Sequence, residues 1–126
     1  MERSELAEMA AGYIEAAIFT ADEEIVEPRP GEFDASPFLG RVDEMSKAGA
    51  LAQCRDFFDA NAVDLAEYPA REAGHDLWYT RNGHGCGFWE ADHCTREQGE
   101  RLTDAARKLG ERYVFELDGG DICIGI

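Results

Sequence analysis

At 126 residues, 44% of them apolar and 10% aromatic, the chain has the size and composition of one globular domain, which excludes a disordered tail. Its 27 acidic against 12 basic residues give a net charge of −15. That balance argues against direct binding to nucleic acid or to anionic lipid, because both need a basic footprint.

The first element is a helix. From Ser4, a capping residue type, Leu6, Met9, Ala10, Tyr13, Ala17 and Ile18 recur at helical spacing and predict a core-packing helix to about Phe19. Residues 20–37 are acidic, contain three prolines and a glycine, and read as an exposed loop. A second helix is predicted from about Ser46 to Tyr68, with Pro69 ending it. Leu51, Cys54, Phe57, Phe58, Asn61 and Leu65 form its inward side, and Asp56, Asp59, Asp64 and Glu67 its charged outer face.

The stretch from Ala73 to Trp89 holds both tryptophans and an Asn-Gly pair, the strongest short-range signal for a β-hairpin. With Asn82-Gly83 as the loop, Arg81 faces His84, Tyr79 faces Cys86, Leu77 faces Phe88 and His75 faces Glu90. Trp78 opposite Gly87 and Asp76 opposite Trp89 then share the other side, with Gly87 leaving room for the Trp78 ring.

A third helix follows, introduced by a capping box of Thr95 and Gln98 and ended by Gly110. Leu102, Ala105, Ala106 and Leu109 make its apolar stripe. The last segment predicts a second hairpin around Gly119-Gly120, pairing Leu117 with Ile122, Phe115 with Ile124 and Tyr113 with Ile126. The predicted architecture is α+β: N-terminal helices, then hairpin–helix–hairpin forming a four-stranded antiparallel sheet with helices on one face.

The block GHDLWYTRNGHGCGFW at 74–89 resembles a GHDFWLTRNGHGAGFW block in a family of small tailed-phage and prophage proteins. YIEAAIFTADEE at 13–24, CRDFFDANAVDL at 54–65, GERLTDAARKLGE at 99–111 and the FELDGGDI stretch extend the resemblance over about residues 10–123. It implies a phage or mobile-element protein acting inside a bacterial cell, and it implies no known activity or active site. Cys86 stands where that block carries alanine, and Asp92-His93-Cys94 also departs from the pattern.

His75, His84, Cys86, His93 and Cys94 are zinc-ligand types, but H-x-C…H-C matches no standard ligand spacing. On a hairpin, His75 and His84 lie roughly 20 Å apart at ~3.4 Å per residue, too far for one ion. Cys86 and Cys94 have histidines close in sequence, which does not make a catalytic dyad. No P-loop, G-x-S-x-G or H-E-x-x-H motif occurs. The reading is therefore of a protein without enzyme activity, cofactor or metal. Wide cysteine spacing and the lack of a leader or membrane-span pattern predict free thiols in the bacterial cytoplasm.

Charge points to a protein partner with a basic surface. Residues 1–72 carry a net of −11 and residues 73–126 a net of −4. The expected contact surface combines Asp22, Glu23 and Glu24 of the acidic loop with Asp56, Asp59, Asp64 and Glu67 of the second helix. Such a surface suits an inhibitor of a host nucleic-acid-handling or defence complex, its acids imitating DNA phosphates; solubility or salt adaptation is the plainer explanation. Two alternatives stand beside it. One is a metal-binding, ligand-binding or enzymatic site around residues 73–94, built from His75, Asp76, Trp78, Arg81, Asn82, His84 and Trp89. The other is a homo-oligomer joined through Trp78 and Trp89.

Overall fold

The computed structural model describes residues 3–21, 42–116 and 121–125. Helix α1 spans Arg3–Phe19, α2 Glu44–Ala60, the single turn α3 Ala62–Leu65, α4 Ala70–Arg81 and α5 Arg96–Lys108. A 3₁₀ turn covers Phe88–Glu90, and strands β1 (Val114–Glu116) and β2 (Ile122–Ile124) pair antiparallel. The protein is thus mostly helical. The four-stranded sheet expected from sequence is not formed among the described residues: the sheet has two strands, joined only by a parallel bridge from Val42 to Ile122.

The first predicted hairpin is instead α4 and the loop after it. Asn82-Gly83 closes the helix in a Schellman motif. Gly83 N–H donates to Thr80 O at 3.3 Å, His84 N–H donates to Tyr79 O at 3.0 Å, and Gly83 takes the left-handed φ of 70°. Asn-Gly serves a two-residue hairpin and a helix terminus equally well, because both need positive φ. The residues before it decide the outcome. Ala73, Gly74, Leu77, Trp78 and Arg81 are all buried and recur with the 3.6-residue period, not the alternation of a strand. The cross-strand pairs expected for residues 75–90 therefore do not exist, and it is the Trp89 ring, not that of Trp78, that lies over Gly87.

Helix α4 is the central element, and α1 packs along it at very close range. A Cβ on Gly74 would overlap the Met9 carbonyl oxygen, and one on Gly12 the Arg71 carbonyl. Glycine inside a helix costs about 1 kcal/mol relative to alanine. Here it lets two backbones meet, and Met9, Tyr13, Ala16, Ala17, Ala73 and Leu77 fill the seam almost without exposure. The Tyr13 ring meets Trp78 edge-on at 5.2 Å. Ser4 lies within α1 rather than before it, while the apolar stripe expected on this helix is buried from Met9 to Ile18.

The predicted second helix is divided. Helix α2 starts at Asp43, whose carboxylate accepts from Ser46 N–H at 2.7 Å, and stops at Asn61, whose amide donates to Phe57 O at 2.9 Å. Pro69 does not end this helix; it precedes α4, where its φ of −59° suits a helix start. The capping box of α5 forms as expected: Gln98 N–H to Thr95 Oγ1 at 3.2 Å and Thr95 N–H to Gln98 Oε1 at 2.9 Å. Gly110 follows with φ 78°.

The C-terminal strands pair as Val114 with Ile124, Phe115 with Cys123 and Glu116 with Ile122, one residue out of the expected register. A one-residue slip exchanges the two faces. Val114, Ile122 and Ile124 are buried, while Phe115 and Tyr113, expected inside, are 41% and 68% exposed. Ser46 locks this register by accepting from Ile124 N–H at 2.8 Å. Leu117, Gly119, Gly120 and Ile126 lie outside the described residues.

Candidate functional site

Two concave surfaces among the described residues carry chemistry-bearing residues. The larger is an open groove of about 510 Å³ between α2 and α5. Helix α5 buries Gly99, Leu102, Thr103 and Ala106, which leaves Arg101, Asp104 and Lys108 on its outer side. Helix α2 likewise buries Cys54 and Phe57 and leaves Gln53, Asp56 and Ala60 toward the groove. Phe57, Ala60, Ala105 and Leu109 supply an apolar floor. Asp56 and Asp104 stand on the rim with Lys108.

The expected acidic surface is only partly available. Asp56, Asp59 and Glu67 are exposed. Asp64 is not free: its carboxylate accepts two bonds from Arg101, at 2.9 and 2.7 Å, which hold it below the usual carboxylate range. It fastens α3 to α5. The break at Asn61 puts Asp64 on the separate turn α3 and Glu67 beyond it, so the four acids do not lie on one helix. Asp22, Glu23 and Glu24 lie outside the described residues.

The residues expected to gather on one hairpin are dispersed around α4. His75 faces α1, where Nε2 meets Glu15 Oε1 at 2.7 Å, and Arg71 joins Glu8 and Glu15 at 3.0 Å each. Asp76 accepts a short hydrogen bond from Tyr68, against whose ring His93 packs edge-on at 5.1 Å. Burial pushes Asp76 above the ordinary carboxylate range, an effect opposed by the Tyr68 hydroxyl. Trp78 is in the core, 2% exposed, with Nε1–H donated to Thr20 Oγ1 at 2.8 Å. It cannot supply the oligomer contact expected of it. Trp89 is 37% exposed and lies under the Arg107 guanidinium at 5.7 Å.

Arg81, expected at a hairpin tip, is 3% exposed. It donates to Gly110 O at 2.9 Å, Leu109 O at 3.1 Å, Tyr13 Oη at 3.1 Å and, through a short bond, Gln53 Oε1. Every acceptor is neutral. The guanidinium caps the carbonyl end of α5, where the helix dipole favours a cation.

The second concavity, about 220 Å³, lies where α4 ends. Trp78, Asn82 and His84, all expected as site residues, do meet here, joined by Arg112, Tyr113 and Thr20. Asn82 is engaged at both ends of its amide: Nδ2 donates to Trp78 O at 2.9 Å and Oδ1 accepts from Arg112 N–H at 2.7 Å. Arg112 Nη1 donates to Glu111 O at 2.8 Å, but Arg112 Nε is buried without a partner. A buried donor left unsatisfied costs about 1–3 kcal/mol. Sequence reasoning missed Arg112 because nothing local marks it. Only the turn after Gly110 brings it back to Asn82.

Cys86 and Cys94 are half-buried, and burial together with nearby carboxylates pushes both thiols up. Thiolate activation needs the reverse. Among the described residues no three His, Cys, Asp or Glu side chains are arranged to hold a metal ion. No helix among them is long and apolar enough to cross a membrane.

Fold and surface together define a small helical protein with an open groove lined by two acids and two bases, and with a separate polar pocket. Comparison with protein-family models, curated proteins and solved structures found no match.

Proposed function

We propose that the protein acts by binding another protein, with the α2–α5 groove receiving a basic amphipathic segment of the partner. The observation that carries this reading is the combination of an apolar floor with a rim of mixed charge, Asp56 and Asp104 beside Arg101 and Lys108, in a chain of net charge −15. Asp104 in the groove lining, and Asp59 on the exposed side of α2 outside it, have no ion-pair partner among the described residues, so their charge is available to a partner cation. An amphipathic helix laid into such a groove gains affinity from its apolar anchors, and charge sets its orientation and association rate. In the bacterial-cell setting implied by the phage resemblance, the partner is a host nucleic-acid-handling protein. The acids then occupy the positions of DNA phosphates, and the protein works as an inhibitor in the cytoplasm.

Affinity capture from host lysate, at low and moderate salt, tests this with wild type and an Asp56→Asn, Asp59→Asn, Asp104→Asn variant. The expected result is a basic nucleic-acid-handling protein held at moderate salt by wild type, released by the variant and displaced by DNA. Absence of a partner, or capture equal for both proteins, overturns the reading.

A further inference from the structure

The α2–α5 groove is tied at both ends, and the ties fix which residues face each other. At one end Gln53 of α2 and the Leu109 carbonyl at the close of α5 share the Arg81 guanidinium. At the other, Arg101 of α5 is bonded to Asp64, three residues past the end of α2 at Asn61. The two helices therefore run antiparallel along the groove, with Gln53 about level with Leu109 and Asn61 about level with Arg101. Gln53 and Asn61 are eight residues apart, so the groove is about 12 Å long at ~1.5 Å per residue, two turns of a partner helix.

Asp56 is three residues from Gln53 and Asp104 is five from Leu109, a difference of two residues or about 3 Å. Counted from Asn61 and Arg101, the difference is again two residues. The two acids thus stand on opposite walls near the middle, beside Phe57 and Ala105 of the apolar floor. Asp104 and Lys108 have no ion-pair partner among the described residues, and Arg101 is matched by Asp64. Asp56 meets its exposed neighbour Arg55 at 3.6 Å, a kind of pair that holds weakly.

Two carboxylates on opposite walls favour one cation between them. Lys108, one turn beyond Asp104 on the same wall, opposes a second cation there. Arginine suits the first position: its planar guanidinium donates in several directions, and its aliphatic stem can lie on the apolar floor. We propose that the groove selects a helical segment of the partner carrying one arginine, held between Asp56 and Asp104, with an acidic residue one turn away, held by Lys108. The selection rests on the groove being a partner site, as proposed above, and narrows it: the order of charges, not the number of basic residues, decides the partner. The net charge of −15 attracts any polybasic chain from a distance, but at physiological salt that attraction is screened beyond ~8 Å and the local order decides.

The test is fluorescence anisotropy of two labelled helical peptides with the full chain at physiological salt. The peptides are alike, rich in leucine and alanine, with a central arginine; one has glutamate four positions on, the other a second arginine there. The glutamate peptide is expected to bind saturably and about tenfold more tightly than the second-arginine peptide, and Asp56→Asn and Asp104→Asn should each weaken it about tenfold. Lys108→Glu should reverse the order of the two peptides. All three side chains are exposed, so the variants should unfold thermally as wild type does. Tighter binding of the second-arginine peptide to wild type, affinity unchanged in Asp104→Asn, an order unchanged by Lys108→Glu, or no saturable binding of either peptide overturns the proposal. Capture of a basic protein from lysate by wild type and not by the variant described above, alongside any of these results, leaves the groove as a partner site and removes only the charge order.

Discussion

Gly74 meets the carbonyl of Met9 with no room between them for a side chain. The α1–α4 seam is therefore set by the absence of an atom. Gly74→Ala should destabilise the fold by about 1–3 kcal/mol through overpacking, although alanine is the better helix former by about 1 kcal/mol. Gly83→Ala is the contrasting case. Nothing lies within 4 Å of a Cβ there, so only the positive φ resists it, at about 1–2 kcal/mol. Chemical denaturation separates the two: only Gly74→Ala should also perturb the near-ultraviolet signal of Trp78 and Tyr13. If Gly74→Ala is neutral, the close approach is not as described.

Arg81 ties four elements of the chain through hydrogen bonds to side chains and carbonyls. Arg81→Lys keeps the charge and loses the planar fork, and it should cost at least about 3 kcal/mol. Arg81→Met should cost no more than the lysine variant, because it buries no unmatched charge. Denaturant midpoints of the two variants check the order.

Asp76 gives a pH signature. Burial raises its folded-state pKa above the unfolded value of 3.8. The protonated form therefore favours folding. Its contribution is full below pH 3.8 and is lost as pH rises through the raised folded value. Asp76→Asn, whose amide oxygen still accepts from Tyr68, should be more stable than wild type at neutral pH, with the gain fading as pH falls through the raised folded value and gone below pH 3.8. Asp43 and Asp64 act in the opposite sense, being held low by their partners. The difference between variant and wild type isolates Asp76. A gain that persists unchanged in acid contradicts the assignment.

Cys54 has no exposure, and burial pushes its thiol up to about 12. It should resist a thiol reagent at pH 8 until denaturant is added, whereas Cys86, Cys94 and Cys123 are half-buried and should react in the native state. Counting modified thiols with and without denaturant, with Cys54→Ala as the control, checks this.

The parts legible in sequence are those encoded within one turn of chain. Thr95 and Gln98 announce α5 by bonding each other, Gly110 ends it, and the spacing from Met9 to Ile18 reveals the buried side of α1. Asn82-Gly83 misled because its positive-φ chemistry is shared by two structures, and the helical spacing of Ala73, Gly74, Leu77, Trp78 and Arg81 carried the answer. Strand register failed for another reason. Residues Tyr113 to Phe115 are apolar on both sides, so pattern alone does not choose a face, and the choice falls to Ser46 far away in sequence. Of the candidate site, Trp78, Asn82 and His84 were readable as a group. Arg112 was not, since its meeting with Asn82 is purely tertiary.

The glycine seam also has a consequence for synthesis. The face of α1 that meets α4 finds its partner only when α4 has been made, about sixty residues later. At ~5–20 residues per second the nascent helix waits roughly 3–12 s with Tyr13, Ala16 and Ala17 uncovered. Over that interval the ribosome carries an acidic segment with an unshielded apolar stripe. Chaperones that guard emerging chains have that interval in which to meet α1.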